Sequence, residues 1–144
     1  MKRFSLVLLA LLTPLALADG HKTLDWDTAL SGAHRTDANI ARNTERHPRE
    51  TLEFFGLQGE MTVLEVSPGG GWYTEVLAPL LAPHGNLVAG HGSPNGSAYG
   101  RRSLGGYLQK LGRDNDVYAN VDVRVMQPPG KPMKVEGGAI DMAV

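Results

Sequence analysis

The sequence predicts an α/β domain with a mostly parallel sheet, and three observations carry that expectation. Thr62–Val66 is a short β-branched run that stops at Ser67-Pro68, where proline withholds a backbone donor. Gly69, Gly70 and Gly71 follow, and then apolar residues recur at 72, 73, 76, 77, 80 and 81, a helical period. Two further strand candidates, Leu87–Ala89 and Val121–Val125, alternate with helical patterns, and the chain closes on an apolar run, Ala139–Val144.

Strand, glycine turn and helix together place backbone N–H groups at the carboxyl end of a parallel strand, where a ligand can approach. Glycine suits that turn because no Cβ obstructs the chain or the ligand. A dinucleotide fingerprint would need a third glycine at position 74, and Thr74 stands there. The spacing that does occur is Glu65-x-Ser67-x-Gly69-x-Gly71. It resembles motif I of the class I S-adenosylmethionine-dependent methyltransferases, with Ser67 where glycine is usual. A tight connection without a ligand is the alternative reading of the same residues.

Upstream, Met1–Ala18 has the form of a secretory signal: Lys2 and Arg3, the apolar run Leu6–Leu12, Pro14, and the small-x-small pattern Ala16-Leu17-Ala18. The run is too short for a bilayer span, which takes about 20 residues. Removing 18 of the 144 residues, with the two positive charges of Lys2 and Arg3, leaves 126 residues at a formal net charge of −3. A periplasmic or secreted protein is expected, with no stable membrane insertion after cleavage. That charge excludes the basic character that nucleic-acid binding needs. The absence of cysteine excludes disulfides and thiolate metal sites.

Residues 19–47 read as a helical N-terminal arm, with Asp25 or Asp27 capping a helix over Ala29, Leu30 and Ala33. Arg35, Arg42, Arg46 and Arg49, spaced by 7, 4 and 3, would share one face of a continuous helix. Pro48 argues against continuity, and it fits better as the first residue of a helix over Pro48–Phe55. Leu52, Phe54 and Phe55 form that helix's apolar face, and Gly56 caps it. A basic face such as that of the arm meets either solvent or a carboxylate or phosphate ligand.

The run R-H-P-R-E-T-L-E-F-F-G-L, together with P-G-G-G-W-Y-T-E-V-L-A-P, is similar to a family of secreted bacterial proteins described as methyltransferases. The likeness covers about residues 34–90. It implies a Rossmann-like class I methyltransferase fold with helices on both faces of the sheet, and S-adenosylmethionine as small-molecule cofactor. The implied cofactor-binding residues are Glu65, Ser67, Gly69, Gly70, Gly71, Tyr73 and His91. No catalytic residue and no acceptor substrate come with the resemblance. The chain departs from the pattern after its second strand. An acidic residue usually holds the ribose there, whereas this chain reads Gly90-His91-Gly92-Ser93. His91, Ser93 or Asn95 would serve instead, without the strength of a charged acceptor.

Beyond the second strand, Pro94–Arg102 reads as a flexible loop, and Leu104, Tyr107, Leu108 and Leu111 define a helix weakened by Gly105 and Gly106. Val121-Asp122-Val123-Arg124-Val125 alternates as an edge strand does, whereas 62–66 and 139–144 are more continuously apolar. The resemblance, which places the third strand at the edge, implies the strand order 3-2-1-4. Pro128-Pro129-Gly130 and Lys131-Pro132 form a stiff loop. The resemblance implies a seven-stranded domain, so residues 48–144 are expected to be its first half, truncated after the fourth strand, with an open edge that favours association. Five histidines without paired helical spacing, no G-x-S-x-G and no G-x-x-x-x-G-K-[ST] leave metal, hydrolase and phosphate-loop chemistry unsupported. A non-catalytic binding module on the same scaffold is the rival expectation.

Overall fold

Residues 23–126 and 139–144 are described by a computed structural model. The expected signal segment, 1–18, and the expected stiff loop, 128–132, lie outside them. Four parallel strands, β1 (Thr62–Val66), β2 (Asn86–His91), β3 (Val121–Val125) and β4 (Met142–Ala143), form one sheet in the order β3-β2-β1-β4. The expected order and the edge position of β3 both hold. Parallel pairing requires a crossover between successive strands. Here α5 (Thr74–Leu81) joins β1 to β2, while α6 (Ala98–Arg113) and α7 (Asn115–Tyr118) join β2 to β3. The four-stranded α/β arrangement is compatible with a Rossmann-like fold.

The alternation of side chains along each strand divides the sheet into two faces. Val63 and Leu87 sit opposite each other in the β1–β2 register and enter the core with Val76, Leu77 and Leu81 of α5. Tyr118 of α7 joins them, and Val121 packs against the same cluster. The other face carries Leu64, half-buried, Val66, 44% exposed, and an ion pair between Arg124 Nε and Asp122 Oδ2 at 2.7 Å. Helices on both faces were expected; among the described residues, the helices that build the core cluster pack on the Val63 face. Burial within β3 does not follow the alternation of its sequence: Val121 to Arg124 are all half-buried and Val125 is exposed.

Several boundaries differ from the sequence reading. Trp72 and Tyr73 form a turn, and α5 begins only at Thr74. Pro79 neither ends nor replaces the helix. Its missing N–H leaves the Glu75 carbonyl without its usual partner, and His34 Nε2 donates to that oxygen at 2.8 Å. β2 extends to Asn86 and His91 because β1 and β3 pair along its full length. The Pro94–Arg102 loop is helical from Ala98, where Ser97 caps α6 by accepting from Gly100 N–H. Leu108, expected on the inward face, is exposed, while Tyr107 beside it is fully buried. Only Met142–Ala143 of the last run is a strand, although Asp141 N and Val144 N continue the pairing with Thr62 O and Leu64 O.

The arm is a series of short helices: α1 (Trp26–Ser31), α2 (Asp37–Ala41) and α3 (Asn43–Arg46), followed by α4 (Pro48–Phe54). Asp25 caps α1 as expected, accepting from Thr28 N–H, and Trp26 and Ala29 enter the core against α5. His47 takes a left-handed backbone with φ 44°, so the four arginines share no continuous helix. Pro48 opens α4, Leu52 is buried, and Gly56 follows with φ 77°. Phe54 and Phe55 contradict the expectation of burial: they are 85% and 56% exposed and stack edge-on against each other.

Candidate functional site

The loop between β1 and α5 turns through three left-handed residues, Ser67 (φ 57°), Gly69 (φ 59°) and Gly71 (φ 76°). For serine this conformation carries a steric penalty of roughly 1–2 kcal/mol, so the surroundings must hold it. They do so by main-chain bonds: Ser67 N donates to Gly90 O at 2.9 Å, and Gly71 N to Pro68 O at 2.8 Å.

Beneath the loop, Glu65 ties the end of β1 to the first turn of α5. Its carboxylate accepts from Thr74 N at 3.2 Å and from Thr74 Oγ1 at 2.5 Å. Having donated its only proton there, the Thr74 hydroxyl accepts from Tyr107 O–H across 3.1 Å. Burial pushes the Glu65 pKa up to about 7; the two Thr74 bonds and the charge of Lys110 oppose the shift without cancelling it. Burial likewise raises the Tyr107 phenol. Thr74, read from the sequence only as a missing glycine, is thus the group that positions Glu65.

The three glycines play different parts. A Cβ on Gly71 would lie 2.9 Å from Tyr107 Cε2, so this residue is required by packing and by its positive φ. Gly71 lines neither cleft, contrary to its expected place against a ligand. A Cβ on Gly70 would meet nothing within 4 Å, and one on Gly69 nothing nearer than Ser67 O at 3.9 Å. These two present bare backbone to open space.

Two clefts flank the loop. The first, about 370 Å³, is walled by the arm (Asn39, Arg42, Arg46), by Trp72 and Tyr73, and by Glu65, Ser67, Gly70 and Val144. The second, about 240 Å³, lies towards β2 and α6 and is lined by Ser67, Gly69, His91, Gly92, Tyr99 and Ser103. The structure therefore brings Glu65, Ser67, Gly70 and Tyr73 to one side of the loop, and Gly69 and His91 to the other. Ser93 and Asn95, weighed as ribose partners, line neither cleft and instead bond to each other, Asn95 N donating to Ser93 Oγ at 3.1 Å. His91 is buried. Its Nδ1 accepts from Gly92 N–H at 2.8 Å, which puts the ring proton on Nε2, and Nε2 has no partner among the described residues.

Sequence reasoning singled out neither Trp72 nor Glu75. Three guanidinium groups gather about the Trp72 ring: Arg46 at 4.7 Å, Arg35 at 5.3 Å and Arg42 at 5.6 Å from its centroid. Trp72 Nε1 donates to Asn39 O at 3.0 Å, fixing the indole against α2. Arg35 is buried and faces Glu75 Oε2 at 3.2 Å, and Glu75 also accepts from Asn39 Nδ2 and from Lys110 Nζ. Arg49 stands apart, 5.6 Å over the Trp26 ring and bonded to Glu53. The arginine spacing was the available signal, but Trp72 lies more than 25 residues beyond Arg35, Arg42 and Arg46 in sequence.

Among the described residues no group of three His, Asp or Glu could hold a metal ion, and no helix is long and apolar enough to cross a membrane. A scan against protein-family models, a search of curated proteins and a search of solved structures each return no match.

Proposed function

We propose that this chain is an exported S-adenosylmethionine-dependent methyltransferase-like protein whose Ser67–Gly71 loop receives the cofactor. The observation that carries the reading is the pairing of a left-handed Ser67 with bare backbone at Gly69 and Gly70, at the carboxyl end of the central strand. Ligands of open α/β sheets bind in that place. Gly69 and Gly70 would meet the cofactor closely, Ser67 faces both clefts, and His91 stands on the ribose side. Tyr73 and Glu65 stand on the other side of the loop, Glu65 chiefly as its brace. When bound, the cofactor supplies an electrophilic methyl group, and the protein's part is to hold an acceptor nucleophile in line with it.

A second reading has its own support. No carboxylate stands at the end of β2, where His91 is followed by Gly92 and Ser93. An exported protein also meets little of a cofactor made in the cytoplasm. Both points favour a binding module that retains the scaffold without the chemistry.

The two readings separate on one titration. S-adenosylmethionine and its demethylated product are titrated by calorimetry into the wild type, Gly70→Val and His84→Ala. Gly70→Val adds bulk only to open space, so it should weaken binding tenfold or more while leaving thermal stability unchanged. His84 lines neither cleft, and its variant should bind as the wild type does. No heat from the wild type at millimolar cofactor would remove the methyltransferase reading and leave the binding module.

A further inference from the structure

The cleft between the arm and β1 has a chemical character of its own. Arg42 and Arg46 line it, both exposed, and neither makes an ion pair or a side-chain hydrogen bond among the described residues. Arg35, their neighbour on the Trp72 ring, differs in being buried and committed to Glu75. Glu65 is the only carboxylate side chain on the cleft wall, and both its oxygens are engaged by Thr74. Its raised pKa of about 7 also leaves it partly neutral at neutral pH. Two cationic side chains therefore face the cleft against less than one opposing side-chain charge among the described residues.

Both guanidinium groups lie over the Trp72 ring, within cation–π range, and the indole is itself pinned through Nε1 to Asn39 O. Planar guanidinium groups bind oxyanions better than lysines, because less freedom is lost for each bond formed. A cleft of about 370 Å³ suits a small molecule rather than a polymer.

We propose that this cleft binds a small oxyanion, a carboxylate or a phosphate monoester, held by Arg42 and Arg46 against the Trp72 ring. The site does not depend on the cofactor. If the methyltransferase reading is right, the oxyanion is carried by the acceptor.

The test uses the ¹⁵N-labelled full chain at constant ionic strength held with chloride. Sodium phosphate and sodium succinate are added separately, and the Trp72 indole N–H resonance is followed, assigned by elimination in Trp26→Phe. A saturable shift with one or both anions is expected, and which anion saturates tells phosphate from carboxylate. Arg42→Gln and Arg46→Gln should each raise Kd about tenfold, equivalent to about 1.4 kcal/mol. Arg46→Lys, which keeps charge but loses the planar guanidinium, should fall between. Arg49→Gln, outside the cleft, should leave Kd unchanged. A linear, non-saturating shift with both anions would overturn the proposal, as would saturation that persists in the Arg42→Gln/Arg46→Gln double variant. The same variants are titrated with S-adenosylmethionine. Loss of cofactor binding in them, with no anion bound by the wild type, would assign the arginines to the cofactor and overturn the proposal. Arginine-dependent anion binding without any cofactor binding would sustain it while removing the methyltransferase reading.

Discussion

Replacing Arg35 by methionine should be among the most damaging single changes available to this protein. Arg35 is buried, its Nε faces Glu75 Oε2 at 3.2 Å, and Nη1 donates to Leu30 O at 2.9 Å and Asn43 Oδ1 at 3.1 Å. Methionine fills much of the space but leaves the Glu75 carboxylate buried with only Asn39 and Lys110 as partners. Removing one member of a buried pair typically costs about 3–5 kcal/mol, mostly from the charge left behind. That is a large part of the roughly 5–15 kcal/mol by which domains of this kind are stable. Glu75→Gln removes the charge itself, so the Arg35→Met/Glu75→Gln double variant should lose less than the sum of the single losses, by about 2 kcal/mol. Urea denaturation of all four proteins at pH 7, with unchanged m-values, reads these differences directly. A loss under about 1 kcal/mol for Arg35→Met, or strict additivity in the cycle, would refute the view that Glu75 is held as a paired buried charge.

Other outcomes follow from the same geometry. Gly71→Ala forces a Cβ to 2.9 Å from Tyr107 at φ 76° and should lower stability by about 1–3 kcal/mol in urea, whereas Gly70→Ala should be neutral within about 0.5 kcal/mol. Because the Glu65 pKa is raised from 4.5 to about 7, the folded state holds a proton that the unfolded state releases, so stability falls as pH rises from 4.5 to 7 and is flat above. Glu65→Gln should remove about 3 kcal/mol of that fall, read by melts at pH 4.5 and 7.5. His34→Ala should cost about 1 kcal/mol by orphaning the Glu75 carbonyl, measured by urea melts. Phe54→Ser/Phe55→Ser should leave stability within about 0.5 kcal/mol and reduce association in sedimentation velocity.

The strands were legible because their signal is local. Thr62–Val66 is a β-branched run and Val121–Val125 carries valine at every second position, and the structure keeps both boundaries. The sheet order followed from the contrast between the more continuously apolar runs 62–66 and 139–144 and the alternation in 121–125, together with the family resemblance. Of the candidate site, the loop residues were legible because glycine and proline mark backbone needs directly. The arm was not. Arg35, Arg42 and Arg46 converge on Trp72 only because α2 and α3 break the helix that their spacing implied. Glu75 reads as a favourable acidic residue in the first turn of α5, yet it is buried by groups 35 to 40 residues away. Phe54 and Phe55 show the converse error, since hydrophobicity alone does not assign a face. The N-terminal reach of α6 was hidden because glycine and serine look alike in a loop and at a helix cap.

The histidine that repairs the break at Pro79 has a consequence for how the chain folds. An α-helix normally completes its bonds from its own residues, so it can form early and alone. Here the donor for the Glu75 carbonyl comes from His34, 41 positions earlier, and the carboxylate of the same residue takes its partners from Arg35 and Asn39. Closing so long a loop is slow relative to local helix growth. Arrival of the arm and completion of α5 are therefore a single event, and the first cleft, whose wall is that same arm, takes shape only when it happens.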